Sequence, residues 1–160
     1  LSRLLLSKFK IICLVRSTSH SNAKHRVMMQ MKKNGLFISH DDLESLEILS
    51  VDLSQDYFGL DKNHWFSLTE RVDEVFHLAA AVNMTSPFDV LYSDNVLATA
   101  NILRFCLTNK RKKLHYTSTL SVLLSTNQNA GQSYEENHLN QFAEIYGGYA
   151  QTKWAAEYLV

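Results

Sequence analysis

Lys113-Leu114-His115-Tyr116-Thr117-Ser118-Thr119 reads as a strand that ends in hydroxyls, and 30 positions after Thr119 comes Tyr149-Ala150-Gln151-Thr152-Lys153. The spacing of the second stretch places Tyr149 and Lys153 on one face of a helix, a turn apart. An unperturbed phenol has a pKa near ~10 and is a poor proton carrier at neutral pH. A neighbouring ammonium favours the phenolate and brings that value toward the working range. A hydroxyl from a strand end can hold a substrate oxygen beside the phenol. Together these groups suit proton transfer at a carbonyl oxygen while hydride reaches the carbon.

Working outward, the same alternation of strand and helix recurs. Lys10 to Arg16 is a continuous apolar run with β-branched residues, as expected of a strand buried on both faces of a parallel sheet. Ser17 to Ser21 form a polar turn, and a helix is expected over Asn22 to Asn34, closed by Asn34-Gly35. Leu46 to Asp52 reads as a second strand and Leu60 to Thr69 holds a short helix around Trp65 and Phe66. Glu74 to Leu78 is a third strand, followed by Ala79-Ala80-Ala81. Asp89 to Thr108 is a long helix, Lys113 to Tyr116 the fourth strand and Tyr146 to Val160 the last helix. This order predicts an α/β fold, a Rossmann-like doubly wound parallel sheet whose ligands bind at the carboxyl ends of the strands.

A chain of 160 residues suffices for one core, and residues 1–160 read as part of one nucleotide-binding domain of a longer chain. Lys+Arg and Asp+Glu balance at 16 each, so no general attraction to nucleic acid or to an anionic membrane is expected. Cys13 and Cys106 sit in apolar runs without metal-ligand spacing, which predicts reduced thiols and a cytoplasmic setting. The seven histidines lack the spacing of a helical metal site, and no metal is expected. No segment approaches the ~20 apolar residues needed to span a membrane. Residues 1–10 are basic and apolar and read as a helix end leading into the first strand. None of the five glycines forms the turn that cradles a pyrophosphate at the start of such folds, so the first strand and glycine loop are expected to lie upstream.

Cys13-Leu14-Val15-Arg16, Val51-Asp52-Leu53-Ser54 with Gly59-Leu60, Phe76-His77-Leu78-Ala79-Ala80-Ala81-Val82-Asn83, Asn95-Val96-Leu97-Ala98-Thr99, His115 to Val122 and Gly148 to Glu157 follow one another in a recognisable order. In this the chain resembles the thioester reductase domains of the extended short-chain dehydrogenases, which terminate nonribosomal peptide and polyketide synthetases and carboxylic acid reductases. Ala98 stands where that family usually has glycine, and the C-terminal substrate lobe that the resemblance implies is expected to lie outside residues 1–160.

The resemblance implies NADPH-dependent reduction of a carrier-bound acyl thioester to an aldehyde, or onward to an alcohol. It implies a phosphopantetheinylated acyl or peptidyl carrier domain as partner, in the same polypeptide. Thr119, Tyr149 and Lys153 match the catalytic triad, with Ser118 as the alternative hydroxyl. Tyr149 donates the proton, Lys153 tunes the phenol and binds the nicotinamide ribose, and Thr119 holds the carbonyl oxygen. Arg16, with help from Arg26, matches the site of the 2′-phosphate, where a forked guanidinium suits an anion. Asp52 and Leu53 border the adenine. Ala79, Ala80 and Ala81 let the backbone approach the cofactor, and Asn95 faces the active-site side of its helix. Two other readings share these motifs. One is a different extended dehydrogenase: a fatty acyl-CoA reductase, a sugar epimerase or a hydroxysteroid-type enzyme. The other is a non-catalytic Rossmann-like module.

Overall fold

The structure is a computed structural model and describes residues 9–36, 45–123 and 145–160. The helix end expected over residues 1–10 therefore falls mostly outside the described residues. The chain divides into two compact units, Leu1–Asp52 and Leu53–Val160.

The first unit is a β-α-β arrangement. Strand β1 (Ile11–Arg16) and strand β2 (Leu46–Val51) pair in parallel, with Ile11 opposite Leu46 and Arg16 opposite Val51. Between them runs helix α1 (His20–Lys33). It starts two residues earlier than the sequence suggested because Ser19 caps it, accepting a hydrogen bond from the Asn22 N–H at 3.2 Å. Its last turn carries Lys32 and Lys33, favourable at the negative end of the helix dipole. Gly35, at φ 67°, takes the left-handed conformation that ends it. The apolar side of α1, through Ala23 and Met31, is buried, as are Ile48, Leu49 and Val51 of β2.

The second unit repeats the pattern with a longer crossover. It opens on a turn at Asp56–Gly59, in which Tyr57 and Phe58 have φ of 55° and 60°. Left-handed backbone is costly for aromatic residues. Here it drives Phe58 into the core against Trp65 and Phe105, with ring centroids 6.3 and 5.4 Å away. Helix α2 (Lys62–Arg71) is capped by Asp61, which accepts from the His64 N–H at 2.9 Å. Strand β3 (Glu74–His77) pairs in parallel with strand β4 (Lys113–Tyr116), placing His77 opposite Tyr116. The long crossover helix occupies 88–107 as α3 (Phe88–Tyr92), a π-helical turn (Ser93–Leu97) and α4 (Ala98–Leu107). A 3-10 turn (Leu120–Leu123) follows β4, and helix α5 (Gly148–Leu159) closes the unit. α5 begins at Gly148, not Tyr146, because Gly147 has φ 88° and lies outside helical space.

Parallel strands joined through helices make this an α/β fold. Doubly wound folds are built from parallel pairs of this kind, and each unit contains one. β3 and β4 are four residues each, so the small-residue and hydroxyl segments that follow them lie beyond the strands, at their carboxyl ends. Among the described residues no helix is long and apolar enough to cross a membrane.

Candidate active site

Tyr149 and Lys153 project from the first two turns of α5 and are both buried, 8% and 3% exposed. α5 can lie so close to its neighbours because it starts on glycine. A Cβ at Gly148 would stand 2.4 Å from the Ser86 carbonyl oxygen and the Pro87 carbonyl carbon, and 2.5 Å from the Phe88 nitrogen. The Lys153 ammonium donates to the Thr117 carbonyl at 2.7 Å and lies over the Tyr116 ring, 4.2 Å from its centroid. Burial lowers its pKa to about 8, against the opposing pull of Glu157. The lysine thus remains a proton-bearing group whose charge is lost just above neutral pH.

The hydroxyl segment lies past the end of β4, so strand alternation does not separate Ser118 from Thr119. Thr119 is half-buried, and its hydroxyl donates to Ser121 Oγ and accepts from the Ser121 N–H, both at 3.3 Å. These are long bonds, easily exchanged for a substrate oxygen. Ser118 Oγ is buried and makes no hydrogen bond among the described residues.

Beneath these groups runs a chain of buried hydrogen bonds absent from the sequence-based expectations. Asn95 is 2% exposed and sits in the π-helical turn. Its Oδ1 accepts from the Ala81 N–H at 2.7 Å, and its Nδ2 donates to the Ala81 carbonyl at 3.1 Å and to Thr152 Oγ1 at 2.9 Å. Thr152 in turn donates to the Tyr149 carbonyl at 2.8 Å. Asn95 therefore ties the alanine turn to the helix of Tyr149 with every polar atom of its amide engaged. It acts on the site through Ala81 and Thr152. From the same helix, Thr99 donates to the Asn95 carbonyl at 2.6 Å, so its oxygen accepts from His77 Nε2–H at 3.0 Å. His77 is neutral in this arrangement. Burial, and then the Lys153 charge, lower its pKa to about 4. Ala79 and Ala80 are exposed and Ala81 half-buried, leaving the backbone of this turn approachable.

Near the start of the same unit, Leu53 is half-buried and its carbonyl accepts from Asn101 Nδ2 at 2.9 Å. Asn101, two positions after Thr99, thus fixes the loop expected to border an adenine. Asn101, Thr152 and His77 escaped the sequence reading because side-chain hydrogen bonds across 22 to 57 residues leave no local pattern. Tyr116 escaped it because an aromatic at a strand end looks like core.

In the first unit, Arg16 ends β1 and Asp52 follows β2. Their side chains approach to 3.7 Å, with 56% and 35% of each exposed. Arg26, from α1, donates to the Arg16 carbonyl. Arg26 thereby braces the backbone that carries Arg16, and its guanidinium is directed at protein.

The residues present fit a nicotinamide dinucleotide. In the second unit an approachable small-residue turn follows β3, and a tyrosine, a lysine and short hydroxyls lie beyond β4. Fold and site together define a dinucleotide-binding α/β protein with a dehydrogenase-type Tyr-Lys helix. The chain belongs to the NAD-binding family described as male sterility protein, whose model matches residues 1–160. A nonribosomal peptide synthetase of Aspergillus flavus, asaC, is 32% identical over 155 residues, covering 92% of this chain and 15% of that protein. A carboxylic acid reductase of Mycobacterium tuberculosis is 33% identical over 177 residues, covering all of this chain and 14% of that protein. Among solved structures, the terminal R domain from the myxalamid PKS-NRPS pathway superposes with a TM-score of 0.88 at 31% identity. There 99% of this chain matches 40% of the other. A thiolation-reductase di-domain from an archaeal nonribosomal peptide synthetase gives 0.71 at 26% identity, covering 98% of this chain and 34% of that one. The chain thus spans about one-seventh of the length of these curated relatives.

Proposed function

We propose that this chain is part of a reductase domain that uses NADPH to convert an acyl thioester, carried on a phosphopantetheinyl arm, to an aldehyde. The observation that carries the reading is the buried Tyr149-Lys153 helix beside the Thr119 segment, in a chain similar along its whole length to reductase domains of peptide synthetases. The cofactor supplies hydride to the carbonyl carbon. Thr119 holds the carbonyl oxygen, and the Tyr149 hydroxyl gives it a proton. Lys153 swings from the Thr117 carbonyl to the phenol and a ribose hydroxyl, at the cost of one charge-assisted hydrogen bond replaced by others of the same kind. The exposed backbone of Ala79 and Ala80 lies against the cofactor. Arg16 meets the 2′-phosphate, and Asp52 and Leu53 border the adenine. The resulting hemithioacetal then collapses: its hydroxyl gives up its proton, the C–S bond breaks, and the departing sulfur takes up a proton to leave as the free thiol of the arm beside the aldehyde.

Single-turnover NADPH oxidation by the full-length protein tests this. Tyr149→Phe keeps the ring and removes the acid. Turnover should fall by ~10²–10⁴, the usual share of general acid catalysis, with cofactor affinity near wild type. Lys153→Ala should harm both turnover and binding. Near-normal turnover in Tyr149→Phe would place the proton donor elsewhere and remove this helix from the mechanism.

A further inference from the structure

Tyr116 has no part in the chemistry above, yet its ring receives the lysine of the catalytic helix. Lys153 Nζ stands 4.2 Å from the ring centroid, and its one hydrogen bond among the described residues goes to the carbonyl of the next residue, Thr117. Both partners come from the end of β4, so the ammonium is held by that strand end as a unit. The negative face of an aromatic ring attracts a cation, more strongly where water is excluded. Lys153 is 3% exposed. The titratable groups around it are His77 at the end of β3, which burial and the Lys153 charge itself keep neutral, Tyr116 on β4, and Tyr149 and Glu157 on α5. The neighbouring crossover helix presents Asn95 and Thr99, which do not titrate. Glu157, the Thr117 carbonyl and the Tyr116 ring thus favour the charged form against burial.

We infer that Tyr116 is a positioning residue, whose ring face holds the Lys153 ammonium protonated in its resting place, from which it turns to the proton-donating tyrosine. The inference rests on the role proposed for Lys153. It predicts that the ring face, and not the phenolic hydroxyl, sets the upper pH limit of the site. With the ammonium already depressed to about 8, any loss of the ring's attraction moves deprotonation into the neutral range.

The test uses the full-length protein with ¹³Cε-labelled lysine, the Lys153 signal being assigned by its loss in Lys153→Arg. Tyr116→Leu should lower the Lys153 titration midpoint by about one pH unit, a tenfold smaller ammonium fraction above the midpoint. Tyr116→Phe, which keeps the face, should leave the midpoint in place. The alkaline limb of the rate profile should move by the same amount in Tyr116→Leu and recover toward wild type at lower pH. Tyr116→Met, close in volume to leucine but more adaptable, replaces it if the leucine variant does not fold. An unchanged midpoint in the leucine or methionine variant overturns the inference, as does an equal shift in Tyr116→Phe. Because the titration is read without turnover, it separates this inference from the catalytic one, which fails instead if Lys153→Ala stays active.

Discussion

Arg16 pairs with Asp52 at the surface and, on the proposed function, is the residue that meets the 2′-phosphate. Its 3.7 Å approach to Asp52 is a partly exposed pair, of a kind worth about 0–1 kcal/mol. A charged contact to a 2′-phosphate is worth roughly 1.5–3 kcal/mol. Arg16→Ala should therefore weaken NADPH by about ten- to a hundredfold and leave NADH nearly untouched, measured by titration calorimetry on the full-length protein. Equal losses for both cofactors would mean that Arg16 does not read the phosphate. His77 makes a second prediction at this scale. Its folded pKa, about 4, lies below the unfolded value near 6.5, so between these pH values the unfolded chain binds the extra proton. Stability is therefore fully present above pH 6.5 and lost as pH falls toward 4, by at most roughly 3 kcal/mol. Urea midpoints at pH 7 and pH 4.5 should diverge more in wild type than in His77→Gln. The histidine was legible in the sequence as a strand residue. Its neutrality was not, because that comes from burial and then from the Lys153 charge, 76 positions away.

At the scale of elements, two helices do the positioning. The crossover helix over 88–107 carries Asn95, Thr99 and Asn101, which hold the alanine turn, His77 and the Leu53 loop. A π-helical turn at 93–97 interrupts its regular register where Asn95 projects, the kind of irregularity often found beside functional sites. The sequence showed a long helix there and offered no sign of the wider turn. α5 is fixed at its first residue, where Gly148 packs against the backbone of 86–88. Forcing a methyl into that gap costs about 1–3 kcal/mol or more, since the obstructing atoms are backbone and cannot rotate away. Gly148→Ala should thus lower the urea midpoint of the domain. It should also reduce turnover beyond the loss of folded protein, because the helix that shifts bears Tyr149. A variant with wild-type stability and rate would show that the gap can open freely. Strands β1, β2 and β4 were legible to within a residue. β3 ends one residue early because Leu78 already turns away, 70% exposed.

At the scale of the whole molecule, the carrier partner is the proposal most open to measurement. A thioester tethered by a short flexible linker reaches an effective concentration in the millimolar range. The same acyl group on free pantetheine, at micromolar concentration, should be reduced about 10²–10³ times more slowly by the full-length protein. Equal rates would mean that the arm is not how the substrate arrives. The fold class and the Tyr149-Lys153 pair were readable from sequence because both rest on local periodicity. Apolar runs make strands, capped amphipathic stretches make helices, and a spacing of four puts two side chains on one helix face. What only the tertiary structure decided is how the polar groups are spent. It gave the Asn95 amide to Ala81 and Thr152, turned Arg26 to a backbone carbonyl, and laid the Lys153 ammonium on Tyr116. Each is a hydrogen bond or charge contact between residues distant in the chain, and burial sets its strength. Periodicity carries information about which side of an element faces the core. It carries none about which buried partner a polar atom will find there.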